Sequence, residues 1–316
     1  MFDKNTEILT MQGWKKINSI TDEKIAHIVD DSIKYDNLQI YKELYNNNII
    51  NINSTFFNLN VTPSHKMKVF YLNGEWNIKE TTAYELIQNK KYKGKTAIIN
   101  SIKYDGKKSI GETKVSLLSI IMSIGIIENN NITLIPQYEN IEDLDYIINL
   151  LDYLKINYTM EKVEQVIFDE TITEYKIKIL ESLDWIYRYL NPDLTPRYNL
   201  LFLNENELNI MFTIINYLKS KINEKEIVLV SNNEYFIDWY RVLCLHLGLR
   251  TRLFDKINFY LGIAVEVTKS QKSILYINLY DQYFTSIPYN GNVYGIQTDD
   301  LIIIKSDNKI SLTGGY

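Results

Sequence analysis

Apolar and polar positions alternate at the short period of β-strands through residues 1 to about 110 and again from about 271 to 316. Between them the longer period of helices takes over. Residues 2 to 20 read as two short strands joined at Gln12-Gly13, the second entered by Trp14. Further β-prone runs fall at 25 to 29, 38 to 45, 49 to 59 and 66 to 71, with Asn46-Asn47-Asn48 expected as a turn. A short helix is expected from Thr81 to Gln88, capped by Thr81 or Thr82 with Glu85 close behind. Residues 95 to 104 return to strand character.

At about residue 111 the texture changes. Val115 to Ser123 is an apolar helix ended by Gly125, followed by a strand at Ile132 to Ile135 and a helix at Glu142 to Leu154. Strands are expected at 156 to 168 and 172 to 179. A second pass has helix Glu205 to Lys221, strand Ile227 to Ser231, helix Glu234 to Leu247, and strands near 249 to 254 and 258 to 268. Aligning Leu134 with Leu229 makes this middle a divergent tandem repeat of roughly 95 residues. Short strands resume through Ile274 to Tyr280, Gln282 to Ser286, Asn292 to Gln297, Leu301 to Lys305 and Ile310 to Leu312. The pattern therefore predicts a β domain, residues 1–110 with 271–316, interrupted by an α/β domain at 111–270.

Composition narrows the classes. With 46% hydrophobic and 23% charged residues in 316, the chain is globular. The single cysteine, Cys244, lies in an apolar helical run and is expected to be a buried thiol, which excludes a disulfide framework or a Cys-rich zinc site. The longest apolar run, Val115 to Ile127, is too short to span a bilayer, and no charged-then-apolar leader opens the chain. The expectation is a non-secreted protein with no membrane partner.

The candidate chemistry centres on Thr62-Pro63-Ser64-His65, a hydroxyl and an imidazole three residues apart inside a strand-like segment. This stretch, with Phe2 to Thr10, Gly13 to Ile17, Val61 to Val69, Gly291 to Tyr294 and Ile310 to Gly314, is similar to the motif blocks of an intein. Inteins are Hint-type protein-splicing domains, here with an inserted LAGLIDADG homing endonuclease. The resemblance implies an all-β Hint horseshoe interrupted by a two-repeat α/β domain, a host protein whose flanking segments are the partners, and a location wherever that host resides, cytoplasmic by default. It also implies splicing chemistry without a cofactor. Thr62 would hold the upstream peptide bond and His65 would protonate its nitrogen.

Other positions depart from the family. Met1 stands where a Cys or Ser should attack, and its thioether has no proton to lose. Gly315 replaces the Asn that cyclises, Tyr316 the downstream nucleophile, and Gly295 an assisting Asp or Cys; no histidine follows His246. The Met1 and Gly315 changes fit an engineered trap, whereas Gly295, Tyr316 and the missing histidine fit natural decay. Either way the chain is expected not to splice.

The insert shows a parallel loss. LAGLIDADG nucleases hold divalent metal with an acid at the end of each of two paired helices. Here those positions are Ile124 and Lys219, and residues 115 to 127 and 208 to 223 contain no Asp or Glu, so Mg²⁺ would be bound only if a nuclease site were unexpectedly active. Residues 111 to 270 carry 15 Lys plus Arg against 23 Asp plus Glu, a balance that disfavours DNA, although Arg241, Arg250, Arg252 and Lys256 could form a basic stripe. A free-standing LAGLIDADG endonuclease and a decayed intein kept as a structural insert are the alternatives. Hedgehog-type autoprocessing also needs the first Cys.

Overall fold

A computed structural model describes residues 1–73, 75–88, 96–136, 141–167, 170–181, 183–222, 227–254, 263–268, 275–278 and 280–315. The first part of the chain forms β1 (Glu7–Thr10), β2 (Gly13–Lys16), β3 (Ile25–Val29), β4 (Ser32–Asp36), β5 (Ile40–Asn53) and β6 (Asn58–Val61). After these come β7 (Lys66–Asn73), β8 (Glu75–Thr82), α1 (Ala83–Gln88), β9 (Thr96–Ser101) and β10 (Lys103–Tyr104). The middle contains α2 (Glu112–Ile124), β11 (Gly125–Glu128), β12 (Asn131–Leu134), α3 (Ile141–Tyr153), β13 (Tyr158–Ile167) and β14 (Glu170–Ile179). It continues with α4 (Glu205–Lys219), β15 (Ser220–Ile222), β16 (Ile227–Ser231) and α5 (Glu234–His246). The last elements are β17 (Arg250–Phe254), β18 (Ile263–Thr268), β19 (Leu275–Asn278), β20 (Phe284–Ile296), β21 (Leu301–Ser306) and β22 (Lys309–Gly314). The chain is thus mixed α/β. No helix among the described residues is long and apolar enough to cross a membrane.

Two compact units emerge. One comprises Met1–Asp105, Cys244–Asp255 and Val265–Tyr316; the other comprises Gly106–Leu243 with Lys256–Ala264.

Three sheets of described residues lie within the first unit. Strands β10-β4-β3-β1-β21-β22 run in that order, with β2 on β1; β19-β9-β7-β8 form a second sheet and β20-β5-β6 a third. Phe2, Ile8, Ile52, Phe57, Leu59, Val61, Ile296 and Ile304 are among the residues of its closed apolar core. Local chemistry makes the tight turns. Val29 pairs with Ser32 across Asp30-Asp31, and Ser306 with Lys309 across Asp307-Asn308; all four loop residues have positive φ. Such two-residue loops match strand twist, and Asp and Asn tolerate that conformation best after glycine.

The expected capping box before α1 is present. Glu85 N–H donates to Thr82 Oγ1 at 3.1 Å, and Glu85 Oε2 accepts from Thr82 N–H at 3.0 Å and Thr81 Oγ1 at 2.7 Å. The first unit is therefore β-rich but not purely β.

Three local expectations need correction. Asn46-Asn47-Asn48 is not a turn: β5 runs straight through it, paired with Tyr289, Pro288 and their neighbours along the whole of β20. Cross-strand hydrogen bonds supplied from far along the chain outweigh the turn preference of asparagine. For the same reason the runs expected at 282 to 286 and 292 to 297 merge into one strand. The helix expected to reach Lys221 stops at Lys219, because Ser220 already pairs with Leu229 in the β15–β16 hairpin.

In the second unit, β11-β12-β14-β13 form one antiparallel sheet. Helix α2 is buried continuously from Val115 to Met122 and packs on α3 and α4. Its end is fixed at Gly125, where an added Cβ would lie 2.4 Å from the Ile121 carbonyl oxygen. Its start is held by Glu207 of α4, whose buried carboxylate accepts from Ser109 Oγ at 2.6 Å, Gly111 N–H at 2.8 Å and Ile110 N–H at 3.1 Å. Arg241, one of the residues that could have formed a basic stripe or a solvated helix face, is 1% exposed and lies 3.6 Å from Asp238. Its place on the apolar face of α5 takes it out of any surface stripe.

Candidate functional site

The turn after β6 carries the two side chains that the sequence singles out. His65 N–H donates to the Thr62 carbonyl at 2.9 Å, and the start of α1 pins the turn from outside through Ala83 N–H to His65 O and Tyr84 N–H to Pro63 O, each 3.0 Å. The chain's opening residues fill the gap beside it. Phe2 exchanges backbone hydrogen bonds with Tyr294, at 2.7 and 2.9 Å, and bridges to Val61, while Thr62 N–H donates to Met1 O at 2.9 Å. The Phe2 ring, 1% exposed, meets the His65 ring edge-on at 4.7 Å. Met1 and Phe2 therefore act as a short strand between β6 and β20.

This packing drives the backbone nitrogen of Met1 into the interior. It donates to Thr62 Oγ1 at 3.1 Å and lies 3.1 Å from His65 Nδ1. On the far side of the ring, His65 Nε2 is 2.8 Å from Thr313 Oγ1 of β22. Thr62, His65 and Thr313 are all buried, at 1%, 0% and 1% exposure. Burial pushes the Met1 α-amine down to about 5, Glu43 opposing. The imidazole of His65 is held well below its ordinary value by the same burial and by the neighbouring amine. A neutral imidazole thus faces a backbone nitrogen that a hydroxyl also holds. Such a pair can orient a peptide bond formed at that nitrogen and exchange a proton with it.

The positions that depart from the intein pattern are placed as follows. Met1 is 4% exposed. Gly295 is buried in β20 opposite Tyr41 and brings no side chain. Gly315 donates to Asp300 O at 3.2 Å and is closely walled: an added Cβ would fall 2.3 Å from Thr298 O, 2.5 Å from Thr298 Cγ2 and 2.9 Å from Ile296 O. Two of those atoms are backbone, so this pocket holds no asparagine without a shift of the main chain. Tyr316 lies outside the described residues.

Sequence reasoning missed two members of this neighbourhood. Thr313 is in sequence one residue of a closing block, with nothing local to mark it. His27 has no flanking signal either, yet it is 5% exposed, with Nδ1 3.0 Å from Asp300 Oδ2 and Nε2 2.9 Å from Asp36 Oδ2. It ties β3 and β4 to the segment between β20 and β21 that walls Gly315. No local pattern announces a pair 273 positions apart. His246 is buried too, 2.9 Å from the Tyr35 hydroxyl and stacked on Tyr104.

In the second unit the two expected acid positions supply no oxygen. Ile124 is half-buried at the end of α2. Lys219, at the end of α4, lies 5.0 Å above the Phe236 ring, and burial lowers its pKa. A cation and an alkyl group do not fit Mg²⁺, which takes oxygen ligands. Among the described residues no three His, Cys, Asp or Glu side chains are grouped so as to hold a metal. Arg250 and Arg252, in the first unit, sit 4.2 and 5.8 Å from the Phe56 ring, and Lys256 lies outside the described residues.

No family model matches the chain, and no curated protein matches it. Solved structures do align with part of it. The homing endonuclease I-DmoI, in complex with DNA and Mn, is 14% identical over 50% of this chain and 89% of its own, at a TM-score of 0.35. The N-terminal LAGLIDADG domain of DUF199/WhiA is 12% identical over 53% of this chain and 82% of its own, at 0.36. Full-length DUF199/WhiA from Thermatoga maritima is 11% identical over 53% and 54%, at 0.37. At these scores the likeness assigns the chain no activity.

Proposed function

We propose that the chain is a degenerate protein-splicing element: a Hint-type β unit that retains the groups holding its upstream peptide bond but lacks the nucleophiles, interrupted by a two-repeat LAGLIDADG-type unit. One observation supports this above the rest: the Met1 nitrogen is 3.1 Å from both Thr62 Oγ1 and His65 Nδ1 in a site closed to water. On this reading the partners are host segments fused at Met1 and beyond Gly315, and the present role is that of a folded insert. The crowding around Gly315 leaves no room for an asparagine there without a shift of the main chain. The second unit pairs α2 with α4 as a scaffold without cutting. Its acidic balance, 15 basic against 23 acidic residues over 111 to 270, opposes tight DNA binding.

Intact-mass analysis of the full chain between two model peptides tests this. The chain as it stands is expected to leave both flanks attached. Met1→Cys should release the upstream peptide when an external thiol is added, and adding Gly315→Asn and Tyr316→Ser should still give no ligated flanks. Ligation by the triple variant would show that the downstream half is sound. Failure of Met1→Cys to release anything would sink the splicing reading.

A further inference from the structure

A neutral histidine carries one ring proton, and which nitrogen holds it decides whether the other end donates or accepts. The surroundings of His65 bear on that choice. On the Nδ1 side stands the Met1 nitrogen, which donates to Thr62 Oγ1 and, as a neutral amine, can give a second hydrogen to Nδ1 or receive one from it. In a peptide bond the same nitrogen could only give, and a proton on Nδ1 would set two N–H groups against each other across 3.1 Å. On the Nε2 side stands the Thr313 hydroxyl, which can give or receive. It has a second neighbour, the sulfur of Met67 at 3.5 Å, to which it can donate. Thioether sulfur only accepts.

We propose that Thr313 is a positioning residue for His65: its hydroxyl accepts the Nε2 proton and turns its own hydrogen to the Met67 sulfur, so the bare Nδ1 lone pair faces the Met1 nitrogen. The functional weight of this rests on the splicing reading above. There, protonating the nitrogen requires a hydrogen on Nδ1, so the relay ending on Met67 holds His65 in the form that cannot donate. His65 then acts first as an acceptor from the bond it holds, and a second proton must enter a fully buried ring before it can act as an acid.

The test is the imidazole ¹⁵N spectrum of the full chain at neutral pH, with the His65 signals assigned by their loss in His65→Gln. Nε2 should show the shift of a protonated nitrogen and Nδ1 that of an unprotonated one. Thr313→Val keeps the shape and removes the hydroxyl, and should move the proton toward Nδ1; Thr313→Ser should restore the original pattern. Met67→Leu, which does not alter the His65–Thr313 contact, should shift the population in the same direction as Thr313→Val, because the hydroxyl hydrogen then turns to Nε2. A native spectrum with the proton on Nδ1 overturns the proposal. So does a Met67→Leu spectrum unchanged from native, a readout that survives even if Thr313→Val fails to fold. The spectra are independent of cleavage: an inactive Met1→Cys fusion with the expected tautomer counts against the splicing reading alone, and an active one with the proton on Nδ1 counts against Thr313 alone.

Discussion

On the proposed reading the two units have lost their chemistry in different ways. In the first, the polar groups proposed to have carried a reaction are buried and mutually bonded: Met1 N, Thr62, His65 and Thr313. In the second, the corresponding helix ends hold Ile124 and Lys219, and what remains buried is apolar packing around α2. The physical reason lies in what each site contributes to folding. Thr62 and His65 satisfy backbone groups and close the core beside Phe2, so removing them leaves orphaned donors inside. An acid at a helix end is a cost to stability unless metal offsets it, so its loss leaves the scaffold intact or improved. A fold thus retains a reactive group longest where that group also serves the packing.

The largest effect expected from this contrast is confined to the first unit. The folded Met1 amine titrates at about 5 against 8.0 in an unfolded chain, so between those values the unfolded state binds more protons. Stability is therefore complete above pH 8 and falls as the pH drops toward 5, by about 4 kcal/mol for a thousandfold weaker proton affinity. His65, whose value is also lowered, adds a loss of the same sign below its unfolded value of 6.5. Denaturant titrations across this range should show the fall, and acetylation of the Met1 amine should remove the part above the histidine range. A flat profile would mean the amine is not buried.

Glu207 is the counterpart in the second unit, a buried polar group that does serve packing. Glu207→Ala leaves Ser109 Oγ and two backbone donors without their acceptor, and about 3 kcal/mol of stability should go, with hydrogen exchange accelerated around the start of α2. Smaller is the cost of filling the glycine pocket. Gly315→Ala should destabilise by about 1–3 kcal/mol through the clash with Thr298 and Ile296, read as a lower midpoint in urea; an unchanged midpoint would mean the pocket is open. The smallest change expected is at the second unit's lost acid. Lys219→Met should alter stability by less than about 1 kcal/mol, since the methylene stem keeps its contact with Phe236 and only a partly desolvated charge is removed.

Much of the fold was legible because it is local. The apolar run of α2 with its stop at Gly125, the helix α3 and the Thr82–Glu85 capping box are each written within a few neighbouring residues. What escaped depends on partners far along the chain. Asn46-Asn47-Asn48 extends β5 because β20 lies beside it, and Arg241 is buried because of where α5 packs. The candidate site divides in the same way. Thr62 and His65 stood out through their spacing, and Met1 through the position it occupies. Thr313, His27 with Asp300, and the walls around Gly315 belong to the site through pairings that no stretch of sequence displays.

The central claim is that Thr62 and His65 still activate a bond at the Met1 nitrogen. Thiol-dependent release of an upstream peptide from the full chain carrying Met1→Cys, compared with the same chain also carrying His65→Ala, tests it most directly. The account predicts release from the first and at least a hundredfold slower release from the second, the scale of a general acid–base contribution. Equal rates from the two chains, or none from either, would contradict it.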